Sequence, residues 1–259
     1  MTDKTKKNSN KSKNIQPQIA AAQPRATSIY QVKFYDGDYF ERQQKANADN
    51  AKLYVEHHFN SSSSREASYA VVIVGSNASN TSKNWGRWYA QAVAREFGNS
   101  IGGSQGILIG GFNGRGDGNV KHTKMPAILL EPLFASNPRH AEIIKSNDGQ
   151  TRLARILVES IQRFLPDGGL VAFSIGHKGK RSNPNDRGAS VFGGGVEADY
   201  AEIVLKKAQV MLDQIRAEET TRVLRVMRGT QEIWRLELDE DEILRLDAER
   251  NLLQILINE

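Results

Sequence analysis

The sequence predicts an α/β protein with a mostly parallel central sheet and helices on both faces, plus a small appended ββα unit. Three observations carry this. Short β-branched runs such as Ala70–Gly75 (AVVIVG) read as buried strands. Longer segments such as Thr151–Leu165 carry apolar residues at three-to-four spacing, the period of a half-buried helix. The two kinds alternate along residues 29–215, which is the signature of a sheet covered by helices.

In order, Ile29–Tyr35 is the first predicted strand, and Glu41–Lys52 is a helix leading into a strand at Leu53–Asn60. Ser61–Ser64 is a loop, Tyr69–Gly75 a buried strand, and Trp85–Phe97 a helix whose stripe is Trp85, Trp88, Tyr89, Ala92, Val93 and Phe97. Residues 98–119 are glycine-rich around Ile107–Ile109, with no phosphate-loop pattern, and are expected to form a flexible loop beside a site. Pro126–Leu130 and Leu170–Ile175 are strands; Thr151–Leu165 and Ala198–Ile215 are helices. Further on, Arg222–Met227 and Glu232–Leu238 flank Arg228–Thr230 as a hairpin. Acidic Asp239–Glu242 then heads a final helix carrying Ile243, Leu244, Leu246, Leu252, Leu253, Leu256 and Ile257.

The 259 residues include no cysteine, which excludes a disulfide scaffold and Cys-ligated metal sites. No apolar run approaches the roughly 18 residues of a membrane-crossing helix. The net charge of +5 is unevenly placed. Residues 1–27 hold six basic residues against Asp3 and lack an apolar period, so they are expected to be a disordered basic tail. Residues 28–215 form the expected catalytic body, and residues 216–259, with seven basic and eleven acidic residues, the appended unit. The lysines are followed by no apolar stretch of a secretory signal, so synthesis in the cytosol is expected.

Chemistry must come from few residues. Of five histidines, His58 ends a strand and His177 follows one in Gly176–Gly179 (GHKG), at the sheet edge where α/β proteins build sites. Strand side chains alternate, so His57 and His58 face opposite sides. Glu197 heads a helix after Gly193–Gly195, and Glu131 closes an apolar strand, where a carboxylate's pKa rises toward that of a general base. A lone strand-end histidine is more commonly structural, and Glu197 taken alone is more commonly a helix-start charge. Together, two histidines and two glutamates fit a His₂Glu zinc site with a base. His122 and His140 read as loop or surface residues, and Trp85 and Trp88 as core.

These segments resemble the zinc-dependent N-acetylmuramoyl-L-alanine amidases of peptidoglycan. Arg42, Ala46 and Asn47, followed by Glu56–Asn60 (EHHFN), look like the family's R-x-x-x-A-N and S-I-H-A-N. Pro126–Asn137 (PAILLEPLFASN) is similar to P-A-V-L-V-E-x-G-F-x-S-N. Gly176–Gly179, Gly188–Ala189 and Glu197 look like the family's G-H-G-G…G-A…E. Ser174 stands where the family usually has Asp, and Lys178 where it has Gly. The family's opening pieces come last here, which implies a circular permutation joined at Pro166–Gly169.

The resemblance implies Zn²⁺ held by His58, His177 and Glu197, and Glu131 as the catalytic base. The implied reaction is hydrolysis of the amide between N-acetylmuramic acid and L-alanine, with peptidoglycan as partner and delivery to the wall by another route, as for a phage lysin. The basic tail is expected to meet an anionic polymer. The alternatives are a related zinc peptidase or amidase, or a non-catalytic wall-binding protein of the same fold.

Overall fold

The computed structural model describes residues 28–216 in full, and the backbone of four further strands between 222 and 257. In chain order the body comprises β1 (Tyr30–Phe34), α1 (Tyr39–Ala48), β2 (Leu53–His57), β3 (Tyr69–Val74), α2 (Asn80–Phe97), β4 (Ser100–Ile101), β5 (Ile107–Ile109), β6 (Gly111–Phe112), β7 (Arg115–Gly116), β8 (Ala127–Glu131), α3 (Pro138–Lys145), α4 (Asn147–Phe164), β9 (Gly169–Ile175) and α5 (Glu197–Leu212). The sheet runs β1-β9-β2-β8-β3-β4, with β5 also paired to β3. Every pairing is parallel except β3 with β8, so the mostly parallel α/β class holds.

The two-residue period of the strands sorts the core into two layers. Leu53 and Val55 of β2, Ile128 and Leu130 of β8, and Val171 and Phe173 of β9 pack with α2, α4 and α5. Tyr54, Leu129 and Ala172 face the other way, toward Ala46 of α1 and Val120. That second face carries the site. Its strand line through Tyr54 continues to Glu56 and His58, and its line through Leu129 continues to Glu131.

Local chemistry explains the element ends. The Ser79 side chain accepts from Ser82 N and starts α2 five residues before the apolar stripe, and Gly98 ends the helix in the left-handed region at φ 69°. Helix α3 was not expected from the pattern, because eight residues show barely two turns of periodicity. Its start is nevertheless written in Asn137, whose side chain accepts from His140 N at 3.1 Å, and in Pro138 at the first position. Ser146 then caps α4. The first helix, expected over 41–52, spans 39–48.

The appended segment differs from expectation. Residues 222–228 and 231–238 do form an antiparallel hairpin. The segment expected as a final helix instead forms two antiparallel strands, Glu242–Asp247 and Leu252–Ile257, in register from Glu242 opposite Ile257 to Asp247 opposite Leu252. The predicted ββα unit is therefore two hairpins. Short clustered leucines and isoleucines satisfy a period of two as readily as 3.6, and pairing decides between them. The basic tail, residues 1–27, lies outside the described residues.

Candidate metal centre

His58, just past the end of β2, His177, in the turn after β9, and Glu197, the first residue of α5, converge at the carboxyl edge of the sheet. Their ligand atoms all lie within 4.8 Å of one another. Glu197 Oε1 is 3.2 Å from His58 Nδ1 and 3.0 Å from His177 Nε2, so those two nitrogens face the cluster. His177 adopts φ 65°, an uncommon conformation for a residue with a Cβ, and this turns its ring into the site. Glycine makes the close packing possible. A Cβ at Gly176 would stand 2.5 Å from the His58 ring, and one at Gly188 would overlap the Glu197 side chain.

Each histidine is held from behind by a carboxylate. Glu56 Oε1 lies 2.9 Å from His58 Nε2, and Asp186 Oδ1 lies 2.8 Å from His177 Nδ1. Asp186 is itself bonded by Lys180 Nζ at 2.6 Å and Gly188 N at 3.0 Å. The second oxygen of Glu197 accepts from Ala189 N at 2.7 Å. A carboxylate on the far nitrogen fixes an imidazole's tautomer and orientation and raises its basicity toward a cation.

The electrostatics follow from this packing. Burial alone would lower the pKa of His58, but its bonds to Glu197 and Glu56 outweigh burial and raise it to about 10. Burial would raise Glu197, yet its bonds to His177 and His58 bring it down to about 2. The centre thus favours positive charge, in the form of protons or of a divalent cation that displaces them. Two imidazole nitrogens and one carboxylate oxygen are the donor set of an open zinc site, so these residues fit the ion.

Glu131 ends β8 in the same cleft, which has a volume of about 680 Å³ and is also lined by Tyr39, Asn60, Phe112 and Arg115. Its Oε2 is buried with no hydrogen-bond partner among the described residues. Burial raises its pKa to about 7, opposed by His58, reinforced by Glu197, and opposed again by Arg115 and His177.

All four expected site residues therefore share one cleft. His57 points into the helix-covered layer, 5.0 Å from the Phe59 ring, with neither nitrogen partnered among the described residues. His140 corrects the sequence reading. It is fully buried rather than on the surface, with Nδ1 accepting from Phe134 N at 3.0 Å. His122 is exposed against Phe40, away from the cleft lining. Trp85 is core, donating to Ser160 Oγ at 3.0 Å. The glycine-rich stretch flanks the site, through Phe112 and Arg115, but it is not the plain loop expected: the short strands β4 to β7 run through it. Glu56 and Asp186 were not expected. Glu56 was legible, two residues before His58 on one strand face; Asp186 sits in a loop with no periodicity.

An α/β sheet whose carboxyl edge gathers a His₂Glu donor set beside a buried carboxylate, with one oxygen lacking a hydrogen-bond partner among the described residues, defines the class of site used by metal-dependent hydrolases. The sequence model of the N-acetylmuramoyl-L-alanine amidase family matches residues 5–163, more than half of the chain, and the protein belongs to that family. Among solved structures, the chain is similar to the catalytic domain of CwlV, an N-acetylmuramoyl-L-alanine amidase from Bacillus (Paenibacillus) polymyxa var. colistinus. Identity is 26%, with 50% of this chain and 66% of that one covered and a TM-score of 0.42. For an N-acetylmuramoyl-L-alanine amidase from Clostridium difficile the values are 19%, 50%, 66% and 0.43. For Ami1 of Mycobacterium abscessus they are 14%, 49%, 61% and 0.41. The chain thus spans about two thirds or less of the length of these structures. No curated protein matches it. Among the described residues, no helix is long and apolar enough to cross a membrane.

Proposed function

We propose that this protein is a zinc-dependent hydrolase of peptidoglycan, cleaving the amide between the lactyl group of N-acetylmuramic acid and L-alanine. The observation that carries the reading is the pairing of the His58–His177–Glu197 donor set with the buried carboxylate of Glu131 in one cleft. His58 Nδ1, His177 Nε2 and Glu197 would hold the ion. A bound zinc ion supplies Lewis acidity, which acidifies water and polarises an amide carbonyl. Glu131, with a pKa near neutrality, takes the proton of the attacking water and hands it to the departing alanine amine. Asp186 holds the His177 ring while this happens, and Asn60 and Tyr39 line the walls against which the substrate lies.

The chain order supports a circular permutation of the family domain. The family match ends at residue 163, within the last turn of α4, so β9 and α5 lie beyond it. His177 and Glu197 come from that unmatched part and meet His58 and Glu131 from the matched part. The join between them is the short turn before β9, where Gly168 N bonds back to Leu165 O at 3.2 Å.

The test is digestion of purified peptidoglycan with and without a chelator, with products identified by mass. Free lactyl ends and peptides beginning at L-alanine, lost with chelator and regained with zinc, are expected. Cleavage within the peptide or the glycan, or none at all, would overturn the assignment.

A further inference from the structure

The second face of the sheet holds a buried charge cluster behind His58. Arg42 of α1 is fully buried, as are Glu56 on β2 and Ser174 on β9, and Glu56 and Ser174 are register partners on adjacent parallel strands. The five bonds of the Arg42 guanidinium go elsewhere than to Glu56. Nε and Nη2 donate to Gly37 O, Nη1 to Ser174 Oγ at 2.7 Å and Ile175 O at 3.1 Å, and Nη2 also to Lys178 O at 3.0 Å. Glu56 Oε2 lies 3.6 Å from Nη1, so the two balance charge without a hydrogen bond. This leaves the Glu56 oxygens to other donors: Asn119 Nδ2 at 2.6 Å and Tyr54 OH at 3.2 Å, besides His58 Nε2.

We propose that Glu56 is a positioning residue for the metal ligand His58, accepting from Nε2–H so that Nδ1 is presented to the ion, with Arg42 supplying the balancing charge. The proposal rests on the zinc reading of the site. Its geometry is specific. Ser174 lies closer to Arg42 than Glu56 does, at 2.7 against 3.6 Å, but it is not bonded to His58. A carboxylate at 174 would therefore balance Arg42 without holding the ring. The motifs this chain resembles carry serine and aspartate at these two places, whereas here the carboxylate sits one strand across, beside the histidine. Arg42 also bonds the carbonyls of Ile175 and Lys178 on either side of the Gly176–His177 turn, so it ties the His177 segment to α1.

The arrangement separates structural from positioning roles by moving the carboxylate. Three variants of the full chain are compared with the wild type: E56S, S174D and E56S/S174D. Melting temperature is measured, together with zinc Kd by competition with a chromophoric chelator. E56S leaves buried Arg42 without a counter-charge, and S174D sets two carboxylates side by side, so each single variant melts lower than wild type. The double variant is expected to regain most of the melting temperature yet bind zinc about 10- to 100-fold more weakly. In the zinc-loaded wild type, ¹⁵N NMR should show His58 with a hydrogen-bonded Nε2 proton, and the double variant should lose that bonded resonance. E56Q, which keeps the shape, gives a second route and is expected to weaken zinc at least about tenfold. Wild-type zinc affinity in a folded double variant or in E56Q would overturn the positioning role. A wild type that binds no zinc would overturn the metal reading and this proposal with it.

Discussion

Gly176→Ala is the sharpest perturbation of the centre. Gly176 has no left-handed backbone requirement, so alanine costs little conformationally, and the effect falls on what the new methyl group meets. That carbon would lie 2.5 Å from Cε1 and Nδ1 of His58 and 2.6 Å from Nε2, so it presses on the ring itself. Ordinary contact begins near 3.4 Å, so the ring or the turn must give by about 0.9 Å. The ring has little freedom, because Glu56 and Glu197 hold its two nitrogens at 2.9 and 3.2 Å. A displacement of that size breaks at least one of these bonds and misplaces the ligand atom; losses on the order of 100-fold follow from such errors. The expected result is zinc affinity about 100-fold weaker, with a melting curve of the zinc-free protein within a few degrees of wild type. The assay is zinc competition alongside thermal melting. Wild-type affinity in a folded Gly176→Ala protein would refute the claim that this glycine is required by the His58 ring.

Glu131→Gln should keep zinc affinity within about threefold while lowering peptidoglycan cleavage by roughly 10²- to 10⁴-fold, the range expected for loss of a general base; clearance assays on walls beside metal titration check both. His58→Ala should abolish tight zinc binding. His57→Leu should leave it intact and raise stability by about 1 kcal/mol, because two buried nitrogens without partners among the described residues are removed; denaturant melts measure the gain. His140 supplies a pH prediction. Burial, with Arg139 adding to it, lowers its pKa from about 6.5 to about 4, so the unfolded chain takes up the proton first. Its contribution is complete above pH 6.5 and is lost as pH falls toward 4, by up to roughly 3 kcal/mol. An NMR titration showing His140 protonated at pH 6 would contradict this.

Much of the site is legible in the sequence. The strand-end position of His58, the apolar approach to Glu131 and the glycine turn carrying His177 are local features. Alternation along β2 placed His58 and His57 on opposite faces, and the structure does so. Glu56 was readable on the same ground, since it shares a strand face with His58. What was not legible depends on long-range contacts. Asp186 reaches His177 from a loop without regular structure. Arg42 bonds residues about 130 positions away, with nothing in its helix to announce it. His140 looked like a surface residue because α3 is too short to show which face it buries. The C-terminal leucine and isoleucine runs fit two periods, and strand pairing selected the one that periodicity did not.

The amino-acid sequence alone determined the α/β class, the order of the longer strands and helices in the body and the absence of cysteine chemistry, and its short motifs singled out the four residues that share the cleft, because each of these is written within one element or one motif. Only the tertiary structure decided that His58, His177 and Glu197, from separate segments, bring their donor atoms within 4.8 Å of one another, and which nitrogen of each histidine faces inward. It also decided that a buried arginine and glutamate stand behind the cluster. The reason is physical. Burial and charge balance are properties of residues that meet across the sheet, and chain distance carries no information about which of them will meet.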